Sequence, residues 1–196
     1  MNHYKLIIFD WDGTVMDSVA RIVSSMCSAA KDVDLTIPTV EQVKNIIGLS
    51  LPEVANTLFP QRSEEQEKRL IERYKKHYVE LDNTPSPLFP NVTQLFEQLL
   101  AQDKYLAVAT GKGRGGLERV FQITNTKHYF HTSRCADECK SKPHPEMIEQ
   151  ILAELKILPE EAVMIGDTIH DMAMAQHANV DRIGVSFGVH DAKTLQ

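Results

Sequence analysis

The sequence predicts an α/β protein in which a doubly wound parallel sheet carries an inserted all-helical module. Two observations lead to this fold class. Short, continuously apolar segments alternate with helical patterns through most of the chain, which is typical of parallel strands covered on both faces. Residues 17–82 interrupt this alternation with helical patterns alone. A chain of 196 residues, 42% of them hydrophobic, is long enough for one domain with such an insertion.

Five apolar segments are predicted as strands. They are residues 5–9, 105–109, 129–133, 162–165 and 182–185, of which the third has the weakest pattern. Two helical patterns lie between the later strands. Their apolar faces carry Val92, Leu95, Phe96 and Leu99 in the first, and Met147, Ile148, Ile151, Leu152 and Leu155 in the second. This alternation predicts a sheet with helices on both faces.

The helical module begins with an apolar pattern of period 3.6 between Val19 and Val33. Three further helix starts are predicted by capping-box patterns. The pairs are Thr39 with Gln42, Ser50 with Glu53, and Ser63 with Gln66. The prolines of "NTPSPLFPN" then mark the return to the alternating pattern. We therefore predict an α/β core of residues 1–16 and 83–196, with the helical module at residues 17–82.

The composition argues against some classes of function. A net charge of −6 disfavours a broad nucleic-acid-binding surface, which is normally basic. The early apolar run at residues 6–9 is too short for a signal-peptide core or a membrane span, so we expect a cytoplasmic protein without membrane contact. Three cysteines without a CxxC repeat predict free thiols, although Cys135 and Cys139 are close enough in sequence to share a metal.

Polar residues follow three of the predicted strands at the points where they end. They are Asp10 and Asp12 after the first strand, Thr110 and Gly111 after the second, and Asp167 and Asp171 after the fourth. Lys142 precedes the helix that leads into the fourth strand. Ligands of open parallel sheets bind beyond the carboxyl ends of the strands. We therefore expect these residues, which are far apart in sequence, to converge on one rim of the sheet.

These residues lie in four motifs, "IIFDWDGTVMDS", "VATGKGRGG", "SKPHPEM" and "GDTIHD". In the motifs and their order, and over nearly its whole length, the chain resembles phosphatases of the haloacid dehalogenase superfamily. The helical module resembles the small cap of the phosphoglycolate-phosphatase-like members. The resemblance implies a Rossmann-like core, an aspartyl-phosphate intermediate and a requirement for Mg²⁺.

The resemblance also implies a role for each acidic residue. Asp10 would be the nucleophile that attacks phosphorus. Asp12 would protonate the leaving oxygen and then take a proton from the attacking water. Mg²⁺ prefers oxygen ligands, and Asp10, the backbone carbonyl of Asp12, and Asp167 would bind it. Asp171 would lie just behind these metal ligands.

The other two motifs would bind the phosphoryl group. Thr110 would donate its hydroxyl, and Gly111 its backbone N–H, to the phosphoryl oxygens. Lys142 would offset negative charge on Asp10 and on the transferring group. All three are predicted to bind substrate, and Thr110 and Lys142 are also predicted to be catalytic.

Residues beside the motifs carry weaker signals. "GKGRGG" resembles a phosphate-binding loop but lacks the P-loop pattern, so Lys112 and Arg114 are expected only to raise the local positive potential. His170 is expected to face solvent. Trp11, between the two aspartates, is expected to point away from them and to pack.

The helical module is where substrate selection is expected. Arg21, Lys44 and the turn around Gly48 are the candidates for contacting the leaving group. Elsewhere, Asn91 and Asn179 replace glycines that are common in the family, and asparagine is the next-best residue for a left-handed backbone. Family members usually have a further short strand and helix beyond the point where this sequence ends.

The leading prediction is a Mg²⁺-dependent phosphatase for a small phosphorylated metabolite such as phosphoglycolate. Inorganic pyrophosphatase and phosphosugar mutase remain alternatives within the same superfamily. A haloacid dehalogenase is disfavoured, because a departing halide does not need the proton that Asp12 would supply. Outside enzymes, the alternative is a phosphate-binding regulatory protein on the same scaffold. The sequence leaves the oligomeric state open.

Overall fold

The computed structural model describes residues 3–196, and its centre is a five-stranded parallel sheet. The strands are β1 (Leu6–Phe9), β2 (Tyr105–Thr110), β3 (Thr132–Cys135), β4 (Ala162–Gly166) and β5 (Asp181–Gly184). Their order in the sheet is β3-β2-β1-β4-β5. The predicted α/β fold class is confirmed. The chain leaves β1 in one direction and returns to its other side at β4, so a topological switch point lies between these two strands.

The strand predictions were accurate except at β3. Four strands lie within one residue of the predicted bounds, whereas β3 begins three residues later than predicted. Residues Lys127–Tyr129 form a turn of 3₁₀ helix instead. Phe130 then packs against Phe121, with ring centroids 5.5 Å apart, before the chain enters the sheet. The sequence of this segment favours a strand, but its aromatic residues pack against the preceding helix and β3 therefore begins later.

Helices cover both faces of the sheet, as predicted. Helices α5 (Val92–Leu100) and α6 (Arg114–Thr124) pack on one face, and α7 (Glu146–Leu155) and α8 (Ile169–His177) on the other. Neighbouring residues of β1 alternate between the two resulting apolar clusters: Ile7 and Phe9 face one, Leu6 and Ile8 the other. The sheet is therefore buried on both sides, which explains its continuously apolar strands.

The inserted region contains α1 (Val19–Asp32), α2 (Val40–Lys44), α3 (Leu51–Leu58) and α4 (Glu64–Lys76), which continues into a π-helical turn at His77–Leu81. The predicted capping boxes at Thr39 and Ser63 are both present. Ser50 caps α3, but its own backbone N–H donates to Ser141 Oγ at 2.8 Å instead of completing a box. That hydrogen bond joins the helical module to the loop that carries Lys142.

Two antiparallel segments connect the helical module to the core. Met16 pairs with Leu88, the N–H of Asp17 donates to the carbonyl of Pro87, and the N–H of Phe89 donates to that of Val15. The module also has an apolar cluster of its own, built mainly from α1, α3, α4 and the residues around Ile46. No helix within residues 3–196 is long and apolar enough to cross a membrane.

Asn91 and Asn179 have left-handed backbones, with φ of 64° and 56°, as predicted. An L-residue with a Cβ pays about 1–2 kcal/mol in this conformation, and asparagine pays less. Asn91→Ala is therefore expected to lower the free energy of unfolding by about 1 kcal/mol, whereas Asn91→Gly should leave it nearly unchanged. Urea denaturation of both variants tests this, and equal destabilisation by both would contradict it.

Candidate active site

The switch point between β1 and β4 brings the predicted acidic residues together. Asp10 follows β1 and Asp167 follows β4, in neighbouring strands of the sheet. Asp171 reaches the same place from the first turn of α8, and Lys142 reaches it from the loop before α7. All four side chains are buried. Residues that are up to 161 positions apart in sequence, Asp10 and Asp171, therefore form one cluster, as the strand-end argument predicted.

Lys142 holds two of the three carboxylates. Its Nζ lies 2.6 Å from Asp10 Oδ1 and 2.6 Å from Asp171 Oδ1. Burial opposes its charge, but Asp10 and Asp171 together raise the pKa of Lys142, so it is a cation at neutral pH. A buried lysine between two carboxylates is a charge-balancing group. The role of Lys142 toward the phosphoryl group stays a prediction.

The cluster has more negative than positive charge. Burial raises the pKa of Asp10 well above its usual value, opposed by Lys142 and reinforced by Asp171 and Asp167. Burial and the nearby Asp171 raise the pKa of Asp167 to about 7. Three carboxylates and one ammonium group are therefore in balance only if a carboxyl holds a proton or a second cation is bound.

The cluster fits a small divalent cation. Asp10, Asp167 and Asp171 each place one carboxylate oxygen within 4.8 Å of the others. Asp10 Oδ2 is buried and has no hydrogen-bond partner among residues 3–196, which is costly unless a ligand contacts it. The donors are all carboxylate oxygens, the ligands that Mg²⁺ prefers. Asp171 belongs to this group by distance, whereas the sequence predicted it only behind the metal ligands.

Asp167 is fixed by residues that surround it closely. Thr14 Oγ1 donates to Oδ1 at 2.8 Å, and the N–H of Val189 donates to Oδ2 at 2.7 Å. Gly13 has φ of 83°, and a Cβ there would lie 2.1 Å from Asp167 Oδ2. A Cβ at Gly188 would lie 2.2 Å from the same oxygen. Glycine is therefore required on both sides of this carboxylate.

Asp12 has different partners from Asp10. Its Oδ1 accepts from Ser18 Oγ and lies 2.9 Å from Lys112 Nζ. Asp12 is buried, and Lys112 also donates to the hydroxyl of Tyr78 in the helical module. The two aspartates thus have separate cations, Lys142 for one and Lys112 for the other. Lys112 is more closely involved than the sequence predicted, which was only a contribution to the local potential.

Thr110 and Gly111 lie at the rim, at and just beyond the end of β2. Thr110 is buried, and its Oγ1 accepts from the N–H of Lys112 at 3.2 Å. A Cβ at Gly111 would lie 2.5 Å from the carbonyl oxygen of Gly48. Gly111 is therefore the point where the rim of the sheet touches the helical module. Their predicted contacts with phosphate stay predictions.

The residues beside the motifs have different surroundings. His170 is partly exposed, and its Nε2 also lies 3.0 Å from the carbonyl oxygen of Asn45 in the helical module. Trp11 packs as predicted, fully buried and edge-to-face with Phe121 at 5.2 Å. Arg114 pairs with Glu138 at 2.7 Å and belongs to the surface beside β3.

The three candidates for contacting the leaving group have different positions in the structure. The guanidinium of Arg21 bonds to the carbonyl of Asp82 and lies near the hydroxyl of Ser86, so it links α1 to the connecting segment. Gly48 lines a cavity beside Asp12. Lys44 does not line that cavity.

Sequence reasoning missed the segment that covers Asp167. The N–H groups of Val189 and His190 donate to its side chain and its carbonyl, respectively, and Ile169 N–H donates to His190 Nδ1. Both of these donors to Asp167 are backbone N–H groups, and a backbone group can belong to any residue type, so the sequence does not reveal it. Gly188, in "SFGVH", was the one available signal.

The chain is similar to known proteins along most of its length. The family model "Haloacid dehalogenase-like hydrolase" matches residues 7–185. The "Probable phosphatase IndB" of Dickeya dadantii is 30% identical over 97% of this chain and 85% of its own length. The pyrophosphatase PpaX of Oceanobacillus iheyensis is 27% identical over 98% and 88%.

A solved structure extends the likeness to the fold. The crystal structure of "a predicted phosphoglycolate phosphatase" from Haemophilus somnus superposes with a TM-score of 0.84 at 27% identity. The match covers 97% of this chain and 88% of the other. With four motifs in order, the sheet topology and this acidic cluster, the chain belongs to the haloacid dehalogenase-like hydrolases and is a phosphoric monoester hydrolase resembling their phosphoglycolate phosphatases.

Proposed function

We propose that this protein is a Mg²⁺-dependent phosphatase that hydrolyses a small phosphorylated metabolite, a phosphoglycolate-like monoester, through an aspartyl-phosphate on Asp10. The observation that carries the proposal is the setting of Asp10. It is buried, its Oδ1 is held 2.6 Å from Lys142, and its Oδ2 has no partner among the described residues. Such a carboxylate is held rigidly and keeps an oxygen available for chemistry.

In the first step, a carboxylate oxygen of Asp10 forms a bond to phosphorus while the bond from phosphorus to the leaving oxygen breaks. Asp12 gives its proton to that leaving oxygen. Thr110 and Gly111 donate hydrogen bonds to the phosphoryl oxygens, and Lys142 offsets the charge that gathers there.

In the second step, a water molecule attacks the phosphorus of the acyl phosphate, and Asp12 takes its proton. The bond from phosphorus to Asp10 breaks, and inorganic phosphate leaves. Asp10, the backbone carbonyl of Asp12, and Asp167 would hold Mg²⁺, with Asp171 within reach of the same ion. When bound, the ion offsets the repulsion between the carboxylate and the dianionic phosphate. The raised pKa of Asp167 shows that its ionised form is unfavourable when no metal is bound. A bound cation would favour that ionised form, which supports this assignment.

Hydrolysis of inorganic pyrophosphate is the second candidate, favoured by the similarity to PpaX. The same acidic cluster serves both reactions. Comparing pyrophosphate with phosphomonoesters as substrates, at equal Mg²⁺, separates the two.

Phosphate release from p-nitrophenyl phosphate is expected to depend on Mg²⁺. Removing the metal with EDTA should lower the rate about 100-fold or more, since a metal ion supplies several kcal/mol of transition-state stabilisation. Added Mg²⁺ should restore the rate, and circular dichroism should show the same fold in both conditions. Equal rates with EDTA and with Mg²⁺ would rule out the proposed chemistry.

A further inference from the structure

A cavity of about 320 Å³ lies between the helical module and the rim of the sheet. We call it the cap cavity. Its walls on the side of the helical module are mostly apolar, and they include Ile22, Met26, Ile46, Ile47, Leu51 and Val54. This volume is at the lower end of the roughly 300–1,000 Å³ that is usual for small-molecule sites.

The cap cavity opens on the leaving-group side of the proposed reaction centre. Asp12, Gly111 and Lys112 line it, whereas Asp10 and Asp167 do not. Asp12 is the residue that would protonate the leaving oxygen. The alcohol that carries this oxygen must therefore lie next to Asp12, at the entrance of the cap cavity.

Three cations line the cap cavity: Lys75, Lys112 and Arg119. Lys112 pairs with Asp12 at 2.9 Å and donates to the hydroxyl of Tyr78. The guanidinium of Arg119 lies over the Tyr78 ring, 5.5 Å from its centroid. Its buried Nε has no hydrogen-bond partner among the described residues, and Lys75 is exposed. These polar groups lie beside the apolar walls, and the body of an alcohol gains from burial against those walls.

The end of "GKGRGG" leaves one side of the cap cavity open. Gly115 and Gly116 lie in the first turn of α6, where each glycine costs about 1 kcal/mol relative to alanine. A Cβ at Gly115 would meet nothing within 4 Å, and one at Gly116 would meet only Lys112 Cβ, at 3.8 Å. Packing within the chain therefore does not require glycine at either position. Both residues line the cap cavity, so their missing side chains leave room for a ligand.

We propose that the preferred substrate is the phosphate monoester of an alcohol with an apolar body, which fills the cap cavity. This inference rests on the proposed function and narrows it. It places monoesters whose alcohol has an apolar body above monoesters whose alcohol has little apolar surface.

The test compares 3-methylbutyl phosphate with ethyl phosphate, because their alcohols are similar in acidity and differ in apolar bulk. With Mg²⁺ present, kcat/KM measured by phosphate release should be about 10-fold or more higher for 3-methylbutyl phosphate, the usual size of such a discrimination. Equal values for the two alkyl esters would overturn the inference.

A variant on α6 tests the location. Gly116→Leu should lower kcat/KM for 3-methylbutyl phosphate about 10-fold while changing that for ethyl phosphate little. Gln122→Leu adds the same side chain to an exposed position on the same helix, away from the cap cavity, and should change neither. If Gly116→Leu and Gln122→Leu behaved alike, the alcohol would not lie in the cap cavity.

Binding without turnover separates this inference from the proposed function. Calorimetry with the Asp10→Asn protein should show about 10-fold tighter binding of 3-methylbutyl phosphate than of ethyl phosphate. If 3-methylbutyl phosphate binds more tightly but the unaltered protein hydrolyses no ester, the inference about the cap cavity is supported and the proposed chemistry is contradicted. If the esters are hydrolysed without any preference in rate or in binding, the proposed chemistry is supported and the inference is contradicted.

Discussion

Replacing Asp10 with asparagine is expected to lower phosphatase activity by about 10⁴-fold or more, the scale on which hydrolases lose activity when their nucleophile is removed. The amide keeps the shape of the side chain but cannot form the acyl phosphate. Asp10 has this effect because no other carboxylate can replace it: Asp12 is paired with Lys112, and Asp167 is held by Thr14 and Val189. The measurement is kcat/KM for p-nitrophenyl phosphate at saturating Mg²⁺.

The Asp10→Asn protein should nevertheless fold. Burial raises the pKa of Asp10, which means that its charged form is unfavourable in the folded protein, so a neutral amide at this site is tolerated. Its Tm should be equal to or higher than that of the unaltered protein in the absence of metal. Asp103→Asn, an exposed aspartate with the same chemical change, is the matched control and should keep full activity. Activity retained in Asp10→Asn would remove Asp10 from the role of nucleophile.

Replacing Lys142 with methionine is expected to affect stability as well as activity. The variant leaves Asp10, Asp167 and Asp171 buried together without their ammonium partner. Removing one partner of a buried ion pair typically destabilises a protein by about 3–5 kcal/mol. Urea denaturation at pH 8 without metal should show a loss of this size, and phosphatase activity should fall below detection.

The pH dependence of that loss has a defined sign. The pKa values of Asp10 and Asp167 are raised in the folded protein, so these carboxyls take up protons more readily there than in the unfolded chain. Lowering the pH from 8 to 5 should therefore recover part of the stability of Lys142→Met, and so should adding Mg²⁺. Adding Asp171→Asn to Lys142→Met should also recover stability, because it removes one unpaired charge. A loss that is the same at both pH values and in the double variant would show that Lys142 stabilises the fold only by packing.

Much of the site could be predicted because it depends on local patterns at strand ends. The apolar runs of β1, β2 and β4 placed Asp10, Thr110 and Asp167 at one edge, and parallel strands necessarily bring their carboxyl ends together. Lys142 is different. Considered alone it reads as a surface lysine, and only the resemblance to a family identified it. Its burial between two carboxylates depends on contacts across 132 and 29 residues, which no local pattern contains.

The parts of the site that the sequence did not predict depend on how the helices and strands pack against each other. Lys112 pairs with Asp12 and also donates to Tyr78, which the helical module brings beside the rim. Helix α6 was not predicted, because its apolar residues Leu117, Val120 and Phe121 follow a glycine-rich start that resembles a loop. The cap cavity likewise depends on the placement of the helical module over the sheet. Such features follow from tertiary packing, which a periodicity argument does not include.

The hydrogen bond from Val189 to Asp167 has a consequence for protein synthesis. Asp10 leaves the ribosome early, but the backbone donor that completes the acidic centre is translated about 180 residues later, roughly 10–40 seconds at ordinary elongation rates. Throughout that interval a nascent chain carries the proposed nucleophile without the full arrangement around Asp167. On the proposed chemistry, the growing polypeptide lacks an assembled site, and activity is expected only once this region has been translated.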